Sequence, residues 1–217
     1  MILKFFLIFN VFFSLYLFGN SLDNLPNDVR WVVNSNEYKK LCMQTYDQAL
    51  KDISSIFIDG HSVIVMDLDE TVLDNSQYQI ELTEIGGKFS MESWAKWVIR
   101  AEATLVPGAK DFFDYIRKMN IQIVFISNRM DARLSSTIKN MKSLGIYDES
   151  DIYLLRLDKK DKKHIRRNEI FTGTGRMAPY GPKKVVAYFG DAIGDFPNEI
   201  ESNAKEYIFP NPMYGKW

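Results

Sequence analysis

A chain of 217 residues with a hydrophobic fraction of 46% can fill one well-buried domain and leaves room for a small appendage. Its 27 basic and 28 acidic side chains nearly cancel, which argues against a protein that coats nucleic acid by charge. Cys42 is the only cysteine, so no internal disulfide can form, and two histidines, His61 and His164, are too few for a His-rich binuclear centre.

In chain order, one lysine precedes the apolar stretch Phe5 to Phe18, and Gly19-Asn20-Ser21 supplies small residues after it. That pattern predicts a signal peptide over residues 1–21, cleavage near Ser21 and export to the periplasm or cell surface. Membrane contact is expected only through this segment, if it stays uncleaved. Residues 22–60 read as an N-terminal helical segment, with Trp31, Tyr38, Leu41, Cys42, Tyr46, Ala49, Leu50 and Ile53 near helical spacing. Cys42 is expected to be a buried structural thiol; Gln48 stands where a cysteine phosphatase would need an arginine. Val63 to Met66 is an unbroken apolar run, the pattern of a strand covered on both faces. Residues 75–105 hold no good buried strand but carry Phe89, Trp94 and Trp97, and are read as a mainly helical cap insertion partly covering a site. Pro107-Gly108 opens a helix through Met119.

Further strands are expected at Ile121 to Ile126, Ile152 to Leu155 and Val185 to Phe189, with a weaker one at Tyr207-Ile208-Phe209. Helices are expected at Asp131 to Leu144 and Lys160 to Ile170. The alternation predicts an α/β fold, a doubly wound and mostly parallel sheet with right-handed crossovers, built from residues 61–74 and 106–217.

Chemistry enters where the strands end. The first run stops at Asp67-Leu68-Asp69-Glu70-Thr71, and two carboxylates at the end of a buried strand need a cation or another compensating partner. Ser127 and Asp191 follow later strands, or a terminal glycine, so a parallel sheet gathers them with Asp67 along one edge. Lys163 lies in about the first turn of the helix that follows the third strand, Ile152 to Leu155, and can reach that edge, with Lys159, Lys160 and Lys162 as rivals on a basic face. Competing structural readings stand beside these: Asp195 as a helix N-terminal acid, and Trp94 and Trp97 as core of the cap. Gly173-Thr174-Gly175 reads as an ordinary turn, and His61 as structural.

Asp67-Leu68-Asp69-Glu70-Thr71, Ser127-Asn128-Arg129, Lys163 and Gly190-Asp191 through Asp195 resemble the four motifs of the haloacid dehalogenase (HAD) superfamily. More narrowly the chain resembles the class C, lipoprotein e type, acid phosphatases. Asn34-Ser35-Asn36-Glu37-Tyr38, Leu73-Asp74-Asn75-Ser76, Val106-Pro107-Gly108-Ala109 and Pro210-Asn211-Pro212-Met213-Tyr214-Gly215 carry that likeness. The resemblance implies a Rossmann-type core and a Mg²⁺-dependent phosphatase. Asp67 would be the nucleophile, Asp69 the acid–base group, and Ser127 and Lys163 the groups binding the transferring phosphoryl. Mg²⁺ would be held by Asp67, the backbone carbonyl of Asp69, Asp191 and Asp195. Substrates would be small phosphate monoesters, nucleoside monophosphates above all (5′-nucleotidase-like), contacted by Asn128, Phe89, Trp94 and Tyr214; no nucleic-acid polymer is expected as partner. Unlike many members, the chain has no lipid-bearing cysteine at its mature N-terminus, and it looks short between Asp195 and Phe209. A homodimer stays among the open arrangements. Rival functions are a non-catalytic surface binder of a planar ligand, haem or nucleotide, and a phosphotransferase using the same residues.

Overall fold

The computed structural model describes residues 24–56, 58–197 and 204–215. The expected signal peptide, residues 1–21, lies outside them. Among the described residues no helix is long and apolar enough to cross a membrane.

The N-terminal helical region splits in two: α1 (Asn27–Asn34) and α2 (Asn36–Ser54). Ser35 makes the break, because its extended backbone leaves the helix and its hydroxyl accepts the amide of Tyr38, capping α2. Tyr38, Cys42, Tyr46, Ala49 and Ile53 then recur on one buried face of α2, and the Cys42 thiol is buried as expected. β1 (Ser62–Met66) follows and is buried at every position. Alternate residues serve opposite faces. Ile64 and Met66 pack in the core with Tyr46, Phe112 and Phe113, while Val63 and Val65 pack with Val124, Leu154 and Ile170. Covering both faces explains why the run shows no polar alternation.

After β1 the chain makes the short strand β2 (Leu73–Asp74), helices α3 (Ser76–Glu84) and α4 (Met91–Arg100), and the short strand β3 (Thr104–Leu105). β2 and β3 pair antiparallel, Leu73 opposite Leu105, so the insertion leaves and re-enters the core at one place. Apolar periodicity did not reveal this ribbon, because two-residue strands are too short to show a period. The remaining elements are α5 (Ala109–Lys118), β4 (Gln122–Met130), α6 (Leu134–Ser143), β5 (Ile152–Arg156), α7 (Lys163–Thr172), β6 (Lys184–Gly190) and β7 (Lys205–Ile208). Gly108, at φ +90°, turns the chain into α5, and a Cβ there would meet Met43 Cα and Tyr46 at 3.2 Å.

The five long strands form one parallel sheet in the order β5-β4-β1-β6-β7. This is the α/β architecture expected. Chain order reverses across β1, which puts a topological switch point between β1 and β6. β4 runs further than predicted: it continues through Ser127 to Met130 instead of stopping at Ile126. Its pairing with β5 shifts register between Ser127 and Met130, so the polar residues stay in the strand while leaving the regular ladder.

Candidate active site

Met66 pairs with Phe125 on one side and Phe189 on the other, which brings Asp67, Ser127 and Asp191 to nearly one level beyond the sheet. The Asp67 amide donates to the carbonyl of Phe189 at 2.9 Å and fixes the nucleophile candidate against β6. Beyond it the chain coils tightly. Leu68 O accepts the amides of Val72 and Leu73 at 2.9 and 2.8 Å, and Glu70 sits at φ +57° to make that turn. A non-glycine in this region is strained, and its surroundings hold it there. Asn75 donates to Glu70 Oε1 from its amide and its side chain, and Tyr46 of α2 donates to the carbonyl of Thr71 at 2.6 Å.

Carboxylate oxygens of Asp67, Asp191 and Asp195 lie within 4.8 Å of one another. Gly190 makes this possible. A Cβ there would come within 2.3 Å of Asp195 Cβ, so only glycine lets Asp195 fold back over the strand end. Asp195 is thereby placed in the cluster, although its Oδ2 also accepts the Ala192 amide at 3.0 Å as a turn acid would. Asn211 donates to Asp191 Oδ2 at 2.7 Å and ties the C-terminal loop to the same cluster.

Lys163 is the first residue of α7, where a positive charge opposes the helix dipole. Its ammonium instead meets two carboxylates, donating to Asp67 Oδ1 at 2.7 Å and to Asp195 Oδ1. The rivals Lys159, Lys160 and Lys162 are exposed. Burial alone would depress the Lys163 ammonium, but Asp67 and Asp195 outweigh it and raise its pKa. Burial pushes Asp67 well up, with Lys163 opposing and Asp195 and Asp191 adding. Asp191 is pushed up to about 6 by burial and then by Asp195. One ammonium against three carboxylates leaves negative charge that a second cation would offset, and an all-oxygen donor set suits a hard divalent ion.

Asp69 contributes no carboxylate to this cluster. Its side chain turns to Arg129, whose Nε and Nη2 lie 2.9 and 2.7 Å from Oδ1, and to Asn75 Nδ2 at 3.0 Å. Arg129 and Asn75 belong to motifs that stood out in the sequence, but no spacing rule gave them a role. Ser127 is fully buried and its hydroxyl accepts the Arg129 amide at 3.2 Å. The exposed Asn128 accepts from Arg166 Nη2 at 2.9 Å.

The aromatic candidates fall on different elements. Trp97 is core, 2% exposed, with its indole donating to Asn75 Oδ1 at 2.8 Å. Trp94 is half-buried against Tyr78 and Phe89, with the Arg129 guanidinium 5.8 Å from its ring centroid. Phe89 is 60% exposed. Tyr214 is exposed in the loop that holds Asn211. His61 is exposed in the turn before β1 and takes no part in the cluster.

The sequence model of the HAD superfamily, subfamily IIIB (acid phosphatase), matches residues 20–217. Among solved structures, the class C acid phosphatase from Bacillus anthracis with tungstate bound superimposes with a TM-score of 0.72 at 29% identity, covering 87% of this chain and 84% of that one. Over 184 residues, acid phosphatase 1 of Solanum lycopersicum is 24% identical, covering 82% of this chain and 69% of its own length. The stem 31 kDa glycoprotein of Glycine max is 21% identical over 184 residues, 84% of this chain and 70% of the relative. The chain belongs to HAD subfamily IIIB, and is an acid phosphatase of the class C type, a phosphoric monoester hydrolase.

Proposed function

We propose that this phosphatase is exported, depends on Mg²⁺ and hydrolyses nucleoside monophosphates and related small monoesters through an aspartyl phosphate on Asp67. The observation that carries the reading is the contact between Asp67 Oδ1 and Lys163 Nζ at 2.7 Å, inside the carboxylate cluster. A buried lysine there neutralises a phosphoryl group's charge as it reaches the nucleophile. In the first half-reaction an Asp67 oxygen bonds to phosphorus, the ester P–O bond breaks, and Asp69 gives its proton to the departing oxygen. In the second, Asp69 takes a proton from water, the water oxygen bonds to phosphorus, and the Asp67 carboxylate is released with inorganic phosphate. Ser127 and Asn128, at the end of β4, would bind phosphoryl oxygens. Asp67, Asp191, Asp195 and the backbone carbonyl of Asp69 would hold Mg²⁺, which when bound offsets their charge and that of the phosphoryl oxygens. That the structural relative was crystallised with tungstate, a tetrahedral oxyanion like phosphate, supports an oxyanion-binding site in this fold.

The nucleotide preference rests on Phe89, Trp94 and Tyr214, exposed or half-buried rings on which a base could stack for about 1–3 kcal/mol each. Export rests on the composition of residues 1–21. Asp67→Asn is expected to abolish release of phosphate from a chromogenic ester, and retained turnover would remove Asp67 as nucleophile. Asp69→Asn should cost about 10²–10⁴-fold. Chelation should abolish activity and Mg²⁺ restore it. Phosphate release from nucleoside monophosphates and from sugar phosphates of equal concentration tests the preference. The N-terminal residue of the secreted protein tests cleavage near Ser21.

A further inference from the structure

The role given to Asp69 requires an aimed carboxylate, and three donors converge on one of its oxygens. Arg129 Nε, Arg129 Nη2 and Asn75 Nδ2 all lie within 3.0 Å of Asp69 Oδ1. None of the three reaches Oδ2. Arg129 is 1% exposed, and Asp69 is its only ion-pair partner among the described residues. Its other polar neighbours are neutral, Thr137 Oγ1 at 3.4 Å and Asn75 Oδ1 at 3.3 Å. Behind it, the Trp97 indole donates to Asn75 Oδ1 at 2.8 Å, which orients the amide so that its nitrogen faces Asp69 and Glu70.

A buried ion pair is weak evidence for stability, because well-packed apolar residues often serve the fold as well. Here the pair does something an apolar residue cannot: it fixes which carboxylate oxygen is gripped and which is free. We propose that Arg129, backed by Asn75 and Trp97, is the positioning residue that presents Asp69 Oδ2 for proton transfer. Oδ2 gives its proton to the departing ester oxygen and takes one back from water, while Oδ1 stays bonded. The inference rests on the acid–base assignment of Asp69 and deepens it.

The test uses the leaving group. An alkyl phosphate needs a proton on its departing oxygen, whereas an aryl phosphate with an acidic phenol departs with little help. In the full chain with Mg²⁺, Arg129→Met should lower kcat for the alkyl ester by about 10²-fold and for the acidic aryl ester by less than about 10-fold, with KM little changed. Arg129→Lys should recover part of the alkyl loss. Trp97→Phe, which removes one donor and keeps a ring, should show the same split at several-fold and carries the test should Arg129→Met fail to fold. Equal losses on both esters, or no loss on either, would overturn the proposal. Asp69→Asn, run in parallel, separates the two levels. A split there without one in the Arg129 and Trp97 variants removes only the positioning role. No split in Asp69→Asn removes the acid–base assignment and this inference with it.

Discussion

At the scale of single residues, the site depends on Gly190 as much as on its carboxylates. A methyl group at this position overlaps Asp195, with 2.3 Å between Cβ atoms. Gly190→Ala is therefore expected to push Asp195 out of the cluster, costing about 1–3 kcal/mol by overpacking. It should also weaken Mg²⁺ activation, measured as the concentration giving half-maximal turnover, whereas a substitution at the unhindered Gly194 should leave that concentration unchanged. Glu70 presents the opposite case, a side chain in strained backbone whose carboxyl is buried and pushed well up by burial and then by Asp69. The motif made the acidic positions visible in the sequence. The obligatory smallness of Gly190 became visible only with Asp195 above it.

At the scale of elements, helices hold the site from outside. α2 is capped by Ser35 and reaches Thr71 through Tyr46. Ser35→Ala should cost about 1 kcal/mol, read as a lower denaturant midpoint with unchanged slope and unchanged kcat. α7 is fastened by Arg166, fully buried, which donates to the carbonyls of Ser127 at 2.5 Å and Leu154 at 3.0 Å and to Asn128 Oδ1. Arg166 thus ties the lysine helix to the ends of β4 and β5. Arg166→Met should cost about 1–3 kcal/mol, because the carbonyls of Ser127 and Leu154 lose a buried donor, while Asp161 keeps Arg176 as its ion-pair partner at 3.3 Å. It should also raise KM by loosening Ser127 and Asn128; a normal KM in a destabilised variant would show that the tie serves stability alone. Helical spacing in the sequence marked the α2 region, while α7 was expected from its place between strands. It missed the break at Ser35, since a single capping serine looks like any polar position on the exposed side.

At the scale of the whole molecule, the cluster couples acidity to stability. Asp191, at about 6, and Asp67 bind protons in the folded protein at a pH where the unfolded chain, near about 4, has released them. The contribution of Asp191 to stability is complete below about pH 4 and is lost as pH rises through about 6. With chelator present, the melting temperature should fall across that window, and Asp191→Asn should flatten the fall. At the proposed Mg²⁺ site the ion would replace the protons, so added Mg²⁺ should raise the melting temperature more at pH 7 than at pH 5. A pH-independent Mg²⁺ increment would contradict this account of the cluster.

Order and pattern along the chain already determined the sheet class, the strand carrying Asp67, and the convergence of Asp67, Ser127 and Asp191 at one edge within reach of the basic segment 159–163. Covalent sequence fixes what each strand end carries, and parallel pairing can only bring such ends to one edge. Which lysine turns inward, the end of β4 beyond Arg129, and the grip of Arg129 and Asn75 on Asp69 were decided by tertiary structure. These depend on burial and on distant partners, Arg129 with Asp69 60 positions apart and Lys163 with Asp67 96 apart, and no local periodicity encodes which buried charge will meet which.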